Sequence, residues 1–436
     1  MKYHTHTLKN GQKLLFLHHD KINLIYVNIG IKIGSDVETK ETLELSHFME
    51  HLFTLFTSNK YNNGLANRNY LSQNNINLNA EVTTKNTNFQ YIFDKKNLNR
   101  FFDMLTHALN DFTIDKKLFE NEKESVIEEL NSIINDADYK FETEIDKTIY
   151  KNHTRSYSQK LRLEHTKKIK PQDVLDFFKK YYRPENMVVS IYGKVRQKEI
   201  IDIMEKINKK FIKQAPCKSV NLYNLEKNFI MNIPLEKKVL HVKESKESNN
   251  LKIVFQVPYK FFDDEYYTIF SILNILTYDI SSILLNKLRN VEGLIYDISA
   301  TMELDEVTQN ISVVYFETNV ENSKMMRVIE IIIKTLNEIK EKSIPQSYIN
   351  FYKENLRIKY EKEKVQFDPM RVLEEYTKYL LWDEKIVDYE GEFLNFGNIN
   401  KSKIKKISND IFNLDNIFIA YSSKNNLNTK IHSLLK

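Results

Sequence analysis

The chain has 436 residues, of which 42% are hydrophobic and 12% aromatic, enough to build the cores of two ordinary domains. Its 64 basic and 59 acidic residues give a net charge of only +5, and no basic stripe is interleaved with aromatic residues, which argues against a nucleic-acid partner. Since no apolar run approaches the ~20 residues of a membrane-spanning helix, we expect no membrane partner either.

The single cysteine, Cys217, excludes an intrachain disulfide framework and is typical of a reducing compartment. The N-terminal residues are polar and lack both an apolar signal segment and the Arg-rich character of a mitochondrial presequence. We therefore expect a cytoplasmic protein. Any zinc ion would have to be held by histidine and carboxylate side chains.

The first half of the chain begins with two strand-like runs at residues 14–18 and 24–33. A helix is predicted at 42–57. The remaining elements of this half are predicted as strands at 76–83, 88–93 and 187–192 and as helices at 98–110, 116–135 and 173–182. A further helix is predicted to follow the last of these strands and to end at about residue 211.

A break in periodicity at residues 214–234 predicts a linker, after which the order of elements begins again. The second half is predicted to contain strands at 251–257, 294–300, 311–318 and 417–421 and helices at 263–289, 322–339, 346–364 and 369–381. Neither half alternates strictly between strand and helix. This pattern predicts an α+β fold with two similar domains, at residues 1–213 and 235–436.

The strongest local signal is His47-Phe48-Met49-Glu50-His51, an H-x-x-E-H pattern on the predicted helix 42–57. At about 100° per residue, the two histidines and Glu50 share one face, and bulky apolar residues occupy the opposite face. Two imidazoles one turn apart can both bind Zn²⁺, and a carboxylate beside them can take a proton from a water that the metal activates. A buried helix could satisfy either histidine alone, but that interpretation leaves Glu50 unexplained. We therefore predict that His47 and His51 are ligands and that Glu50 is the general base.

A catalytic zinc site needs a third protein ligand and one position left for water. On the acidic helix predicted at 116–135, Glu129 and Glu122 lie at the edge of the apolar face, whereas Glu128 points to solvent. This placement favours Glu129 as the ligand. Glu122, two turns earlier, is predicted to orient a ligand by a hydrogen bond.

These residues resemble the zinc-binding pattern of the insulinase/pitrilysin family of inverted-motif zinc metallopeptidases, and the length resembles that of its half-length, processing-peptidase-like members. In that family the third ligand is a glutamate that follows the second histidine by a typical number of residues. Glu128 and Glu129 both follow His51 at about this separation, so spacing alone allows either residue. The resemblance extends to Asn79-Ala80, to residues 181–187 and to residues 288–296, and so covers both halves.

The resemblance implies a zinc-dependent endopeptidase that cleaves unfolded peptides or short polypeptides. Each domain would be a mainly antiparallel sheet covered by helices, and the chain would form half of a closed chamber. Arg289 and Tyr296 would bind substrate and stabilise the transition state, and Asn79 and Ala80 would pair with an extended substrate. Without the resemblance, the simpler interpretations are that Arg289 complements a helix end and that Tyr296 packs in a strand.

The sequence departs from the family pattern mainly where glycines are usual, at Glu44-Leu45-Ser46 before the first histidine and at residues 75–78 before Asn79. Because this chain carries both the zinc motif and the Arg289/Tyr296 segment, the resemblance implies a homodimer with two complete sites or a heterodimer with a related chain. The alternative function is a non-catalytic scaffold or binding subunit. Such relatives usually lose a zinc ligand or the base, and this sequence keeps them.

Overall fold

A computed structural model describes residues 2–151, 153–209, 238–244 and 248–435. These residues form two compact units, each with its own sheet and helices, which confirms the predicted α+β class and the two similar, mainly antiparallel domains. Unit 1 draws on the ranges 1–136, 157–222 and 367–388, and unit 2 on 137–156, 223–366 and 389–436. The predicted linker at 214–234 lies outside the described residues, so the boundaries 1–213 and 235–436 stay a prediction.

Unit 1 is built on a six-stranded sheet with the order β1-β2-β6-β3-β5-β4. Its strands are β1 (Tyr3–Thr7), β2 (Lys13–His18), β3 (Leu24–Ile31), β4 (Asn77–Val82), β5 (Thr87–Asp94) and β6 (Met187–Gly193). Neighbouring strands are antiparallel except β2 and β6, which are parallel. Every residue of β6 is buried, because side chains cover both faces of the sheet.

Unit 2 repeats this arrangement with one strand fewer, in the order β7-β11-β8-β10-β9. Its strands are β7 (Lys238–Lys243), β8 (Ser248–Gln256), β9 (Ser299–Glu303), β10 (Val313–Glu321) and β11 (Ile417–Ser423). The pair β7 and β11 is parallel and the other pairs are antiparallel. Strand for strand, the sheet therefore matches β2-β6-β3-β5-β4 of unit 1.

The helices follow the same duplicated order. They are α1 (Leu45–Phe53), α2 (Gly64–Gln73), α3 (Leu98–Asp111), α4 (Lys116–Ile134), α5 (Tyr139–Ile149), α6 (Gln159–Thr166), α7 (Pro171–Tyr181), α8 (Gln197–Asn208), α9 (Glu265–Thr277), α10 (Ile283–Leu285), α11 (Met325–Lys342), α12 (Gln346–Val365), α13 (Pro369–Leu381), α14 (Tyr389–Gly397), α15 (Lys401–Ile411) and α16 (Asn428–Leu434). The helices α9 and α10 separate β8 from β9 as α1 and α2 separate β3 from β4, and α11 and α12 follow β10 as α3 and α4 follow β5. By this order, α9 and α12 are the counterparts of α1 and α4.

Each sheet carries on its second face a helix from the other half of the sequence. In unit 1, α13 packs on β3 and β6, where Asn28 Nδ2 donates to Thr377 Oγ1 at 3.0 Å. Gly30 allows this close approach, since a Cβ atom there would lie 2.3 Å from Thr377 Cγ2. In unit 2, Phe141 and Ile145 of α5 pack in a cluster with residues of β7 and β11. Helical periodicity does not show which sheet a helix covers, and the sequence pattern did not predict this exchange.

The predicted helix at 263–289 is wrong, because α9 ends at Thr277 and a turn follows before α10. In that turn the carboxylate of Asp279 accepts from the backbone N–H of Ser281 at 2.9 Å and from its hydroxyl at 2.7 Å. Such local side-chain hydrogen bonds compete with helix formation. The predicted strand at 294–300 also begins later than expected, at Ser299 in β9, and leaves Tyr296 in a loop.

Among the described residues, no helix combines the length and the apolar character that a membrane span requires.

The carboxyl group of Asp146, on α5 of unit 2, has a pKa well above the usual value for an aspartate. Burial raises its pKa to about 7, and the negative charge of Glu142 adds to the rise. In the unfolded chain an aspartate loses its proton near pH 4. Folding therefore binds a proton between about pH 4 and 7, and the free energy of unfolding should fall as the pH rises through that range.

We expect Asp146→Asn to raise the free energy of unfolding above pH 7, by an amount on the order of 2–4 kcal/mol, and to change it little near pH 4. Denaturant unfolding at pH 4.5 and pH 8 measures the difference. Glu144→Gln, at a half-exposed position on the same helix that pairs with Lys147, is the control and should have only a small effect at both pH values. An Asp146→Asn effect independent of pH would contradict this account.

Candidate metal centre

The polar face of α1 brings three potential metal ligands together. One nitrogen or oxygen atom from each of His47, Glu50 and His51 lies within 4.8 Å of the others. The two imidazole rings are 5.0 Å apart, one helical turn from each other. On the opposite face, Phe48 and Met49 are fully buried, so the packing of α1 sets the direction of the polar trio.

Helix α4 places Glu129 beside both histidines. Its carboxylate oxygens lie 3.2 Å from His47 Nε2 and 3.7 Å from His51 Nε2. The rotation of α4 is set by Val126 and Leu130, which are buried one turn apart, and its start by Asp115, whose carboxylate accepts from the backbone N–H of Lys117 at 3.0 Å.

The other ring nitrogen of each histidine is also paired with a carboxylate. His51 Nδ1 lies 3.2 Å from Glu122 Oε2, and Glu122 is held in turn by Arg68. His47 Nδ1 lies 3.0 Å from Glu44 Oε2. Since a carboxylate only accepts, both Nδ1–H groups donate, and both Nε2 atoms are left to face a cation.

Glu44 was not among the predicted site residues. It precedes α1 in the left-handed region at φ 66°, a conformation that favours glycine, and this conformation explains why the helix begins at Leu45 rather than near residue 42. Its second oxygen accepts from Arg162 Nη1 at 2.7 Å, and the same Nη1 lies 3.1 Å from Glu38. Glu38 also accepts from the backbone N–H of Ser46 at 3.0 Å. Glu38, Arg162 and Glu44 therefore form a buried ionic network that holds the carboxylate bonded to His47 in place.

The charges of the site shift the protonation of its members. Burial opposes protonation of His47, but its hydrogen bond to Glu44 and the charge of that residue outweigh burial and raise the pKa of His47. Burial raises the pKa of Glu50, although the two imidazoles oppose the rise. Burial acts on Glu122 in the same direction, but hydrogen bonds from His51 and Arg68 prevail and lower its pKa. Glu50 is thus a stronger proton acceptor than an ordinary exposed glutamate.

The donor set fits a zinc ion. Ligand atoms at about 2.1 Å in tetrahedral geometry lie about 3.4 Å apart, close to the two distances between Glu129 and the histidine nitrogens. Two imidazoles and a carboxylate form a known catalytic ligand set that leaves one position open. The Glu129 side chain is 51% exposed, so water can reach the site. Glu128 is exposed, and the structure brings Glu129, rather than Glu128, next to both histidines.

The remaining predicted site residues lie in two places. Asn79 and Ala80 belong to β4, at the edge of the unit 1 sheet, where they pair with Gln90 and Phe89 of β5 and leave the other side of the strand open. Arg289 and Tyr296 belong to unit 2, with the guanidinium carbon 4.5 Å from the centre of the tyrosine ring. Tyr296 is 76% exposed, which argues against a packing role for its ring.

We expect Glu44→Gln to weaken zinc binding by roughly 10–100-fold, as other changes to the hydrogen-bond partners of metal-binding histidines do. Competition with a chelator, measured without substrate, gives the zinc affinity directly. Glu41→Gln is the matched control, because Glu41 is an exposed carboxylate three residues earlier whose oxygen accepts from the Thr39 hydroxyl. Equal zinc affinity in the two variants would show that Glu44 does not orient His47.

Two models of peptidase families match the chain. The model described as "Insulinase (Peptidase family M16)" matches residues 15–160, and the model described as "Peptidase M16 inactive domain" matches residues 168–356. The H-x-x-E-H motif and Glu129 fall in the first match, and Arg289 and Tyr296 in the second.

Two relatives and one solved structure illustrate the similarity. A probable mitochondrial-processing peptidase subunit beta of Schizosaccharomyces pombe is 25% identical over 205 residues, which are 47% of this chain and 44% of that protein. The uncharacterized zinc protease YmxG of Bacillus subtilis is 24% identical over 198 residues, 45% of this chain and 48% of that protein. The match thus spans about half the length of these relatives. A protease from Helicobacter pylori has the same fold, with a TM-score of 0.79 and 17% identity over 97% of this chain and 99% of that one.

Proposed function

Because the chain belongs to the insulinase/pitrilysin family, peptidase family M16, we propose that it is a zinc-dependent endopeptidase that cleaves unfolded peptides or short polypeptides. The observation that supports this most strongly is the juxtaposition of Glu50 with His47, His51 and Glu129 on the facing sides of α1 and α4. From the single cysteine we also propose a reducing, cytoplasmic setting.

In the proposed reaction, His47, His51 and Glu129 would hold a zinc ion, which would supply the Lewis acidity that lowers the pKa of a bound water. Glu50 accepts the proton of that water, and its raised pKa suits this role. The same carboxyl group then gives the proton to the leaving amine. Glu44 and Glu122 keep the two imidazoles oriented through their Nδ1 atoms.

Substrate binding is proposed to use backbone as well as side chains. The open edge of β4 at Asn79 and Ala80 can take an extended peptide as an additional strand. The exposed hydroxyl of Tyr296, with Arg289 beside its ring, can donate to the oxyanion that forms at the scissile carbonyl.

The alternative is a scaffold or binding subunit of the same fold. The description "inactive domain" belongs to the match at residues 168–356, outside the range that holds the metal motif. The set His47, Glu50, His51 and Glu129 is present and close together, which favours catalysis. Digestion of a mixture of unfolded peptides, followed by mass spectrometry, distinguishes the two functions. A peptidase produces new termini that a chelator suppresses and added zinc restores, whereas a scaffold binds peptides and leaves them intact.

We propose that the complete site contains residues of two chains, either two copies of this one or this chain and a relative. The relative from Schizosaccharomyces pombe is named a beta subunit, one component of an assembly. In a homodimer, Glu50→Gln and Tyr296→Phe proteins would each be nearly inactive.

Mixing these two variants under conditions that allow subunit exchange should restore activity, up to about half of the sites in each hybrid dimer. Both proteins must be folded and zinc-loaded, and exchange must be shown with labelled chains. No recovery despite exchange would contradict a site shared between two copies.

A further inference from the structure

Unit 2 contains a cavity with a volume of about 430 Å³ between α9, the turn at residues 278–282 and α12. This size is within the range of about 300–1,000 Å³ that is typical of small-molecule sites. All the residues that line it belong to unit 2. Since α9 and α12 are the counterparts of α1 and α4, the cavity occupies the place in unit 2 that the metal centre occupies in unit 1.

The residues at the corresponding positions differ in charge. Tyr352 and Lys359 are the seventh and fourteenth residues of α12, as Glu122 and Glu129 are of α4. Both line the cavity, so a phenol and an ammonium group stand where unit 1 has two carboxylates. On α9 the lining residues Phe270 and Asn274 repeat the four-residue spacing of the two histidines. At these positions the cavity therefore has no carboxylate or imidazole and carries a positive charge.

One polar atom in the cavity wall lacks a partner. Ser282 is 4% exposed, and its buried hydroxyl makes no hydrogen bond to any residue that the structure describes. A buried hydroxyl without a partner is unfavourable, and a molecule bound in the cavity, a water or a ligand, can satisfy it. Tyr352 adds a second hydroxyl to the wall, and its oxygen and proton lie beside Ser271 Oγ at 2.9 Å, which itself donates to the backbone oxygen of Tyr267 at 2.7 Å. Burial raises the pKa of Tyr352 to about 12, which keeps that proton in place.

Much of the rest of the wall is aromatic or aliphatic, and the charged residues of the lining sum to a net positive charge. Besides Phe270 and Tyr352, the wall includes Tyr348 and Phe351. Lys359 and Lys362 are exposed, and the ammonium group of Lys359 lies 3.8 Å from a carboxylate oxygen of Glu363. The one lining carboxylate, Asp279, already accepts two hydrogen bonds from Ser281.

We propose that this cavity binds a small monocarboxylate with an apolar body. The alkyl or aryl body lies among the aromatic side chains, the carboxylate pairs with Lys359 and Lys362, and Ser282 donates a hydrogen bond to the ligand. The same chemistry occurs in a short fatty acid and in the C-terminal residue of a hydrophobic peptide. The site does not depend on peptidase activity, so its test and that of the proposed function are separate.

Calorimetric titration of the full chain with octanoate and with N-acetylphenylalanine tests the proposal. Octanoate represents a short fatty acid and N-acetylphenylalanine represents the C-terminal residue of a peptide, so the tighter of the two ligands indicates the source. We expect one saturable site per chain, with a dissociation constant below about 10 mM, in zinc-loaded and in chelator-treated protein alike. Binding that disappears with zinc would place the carboxylate at the metal centre of unit 1 and overturn the proposal. So would the absence of saturable binding by either ligand.

Two variants locate the site. Asn355→Trp, at a partly exposed lining position of α12, should fill the cavity and abolish binding. The double change Lys359→Gln/Lys362→Gln, at exposed positions that tolerate it, should weaken octanoate roughly three- to ten-fold and leave octanol unchanged. The control Lys353→Gln/Lys364→Gln removes two exposed lysines of α12 that do not line the cavity. Equal octanoate affinity in the two double variants would overturn the assignment.

Discussion

Glu50→Gln is expected to lower peptide turnover by roughly 10²–10⁴-fold while the protein keeps its zinc. Glu50 lies on the polar face of α1 between the two histidines, and burial raises its pKa, so its carboxylate is suited to accept and return a proton. Glutamine has nearly the same shape and cannot do this. Because Glu50 is not among the three proposed ligands, the metal content should not change.

The measurement is the initial rate of cleavage of a quenched fluorescent peptide at saturating substrate, together with zinc content. Glu128→Gln, an exposed change on α4, is the matched control and should keep native turnover. The Michaelis constant of Glu50→Gln should stay close to that of the native protein, because substrate contacts are untouched. Near-native turnover of this variant would mean that another group is the base.

Glu129→Gln is expected to have the second large effect, the loss of bound zinc. Its oxygens lie 3.2 and 3.7 Å from the two Nε2 atoms that face the proposed ion, and a neutral amide is a much weaker ligand than a carboxylate. The zinc affinity should fall by more than the roughly 10–100-fold expected for a change to a hydrogen-bond partner of a ligand.

Glu128→Gln again serves as the control, since Glu128 is the neighbouring carboxylate that sequence spacing also allows. Chelator competition on both variants, without substrate, separates the two residues. Zinc lost from Glu128→Gln and retained by Glu129→Gln would reverse the assignment. Equal retention in both would show that the third ligand lies elsewhere.

Helical periodicity was sufficient to predict the parts of the site that lie on α1 and α4. The rotation of each helix is set by its own buried residues, such as Phe48 on α1 and Val126 on α4, so the directions of His47 and Glu129 follow from local sequence. Most strands could be recognised by their runs of branched and aromatic residues, but β1 and β7 were not predicted and β9 begins later than expected.

The ionic network beneath His47 could not be predicted as completely. Arg162 is 118 residues away from Glu44, and no local pattern predicts that they meet. Glu44 itself gave one usable signal, since residues three apart face each other near a helix start, and it stands three before His47. The left-handed backbone of Glu44 could not be predicted, because glutamate rarely adopts a positive φ angle. The packing of α5 and α13 on sheets formed by the other half of the sequence depends on contacts between distant residues, which periodicity does not predict.

The most direct test of the proposed zinc centre is a crystal structure with anomalous data collected on both sides of the zinc absorption edge. A single zinc peak per chain, within bonding distance of His47 Nε2, His51 Nε2 and a Glu129 oxygen, is the predicted result. A zinc-free protein that still cleaves peptides, or a peak held by other side chains, would contradict the account.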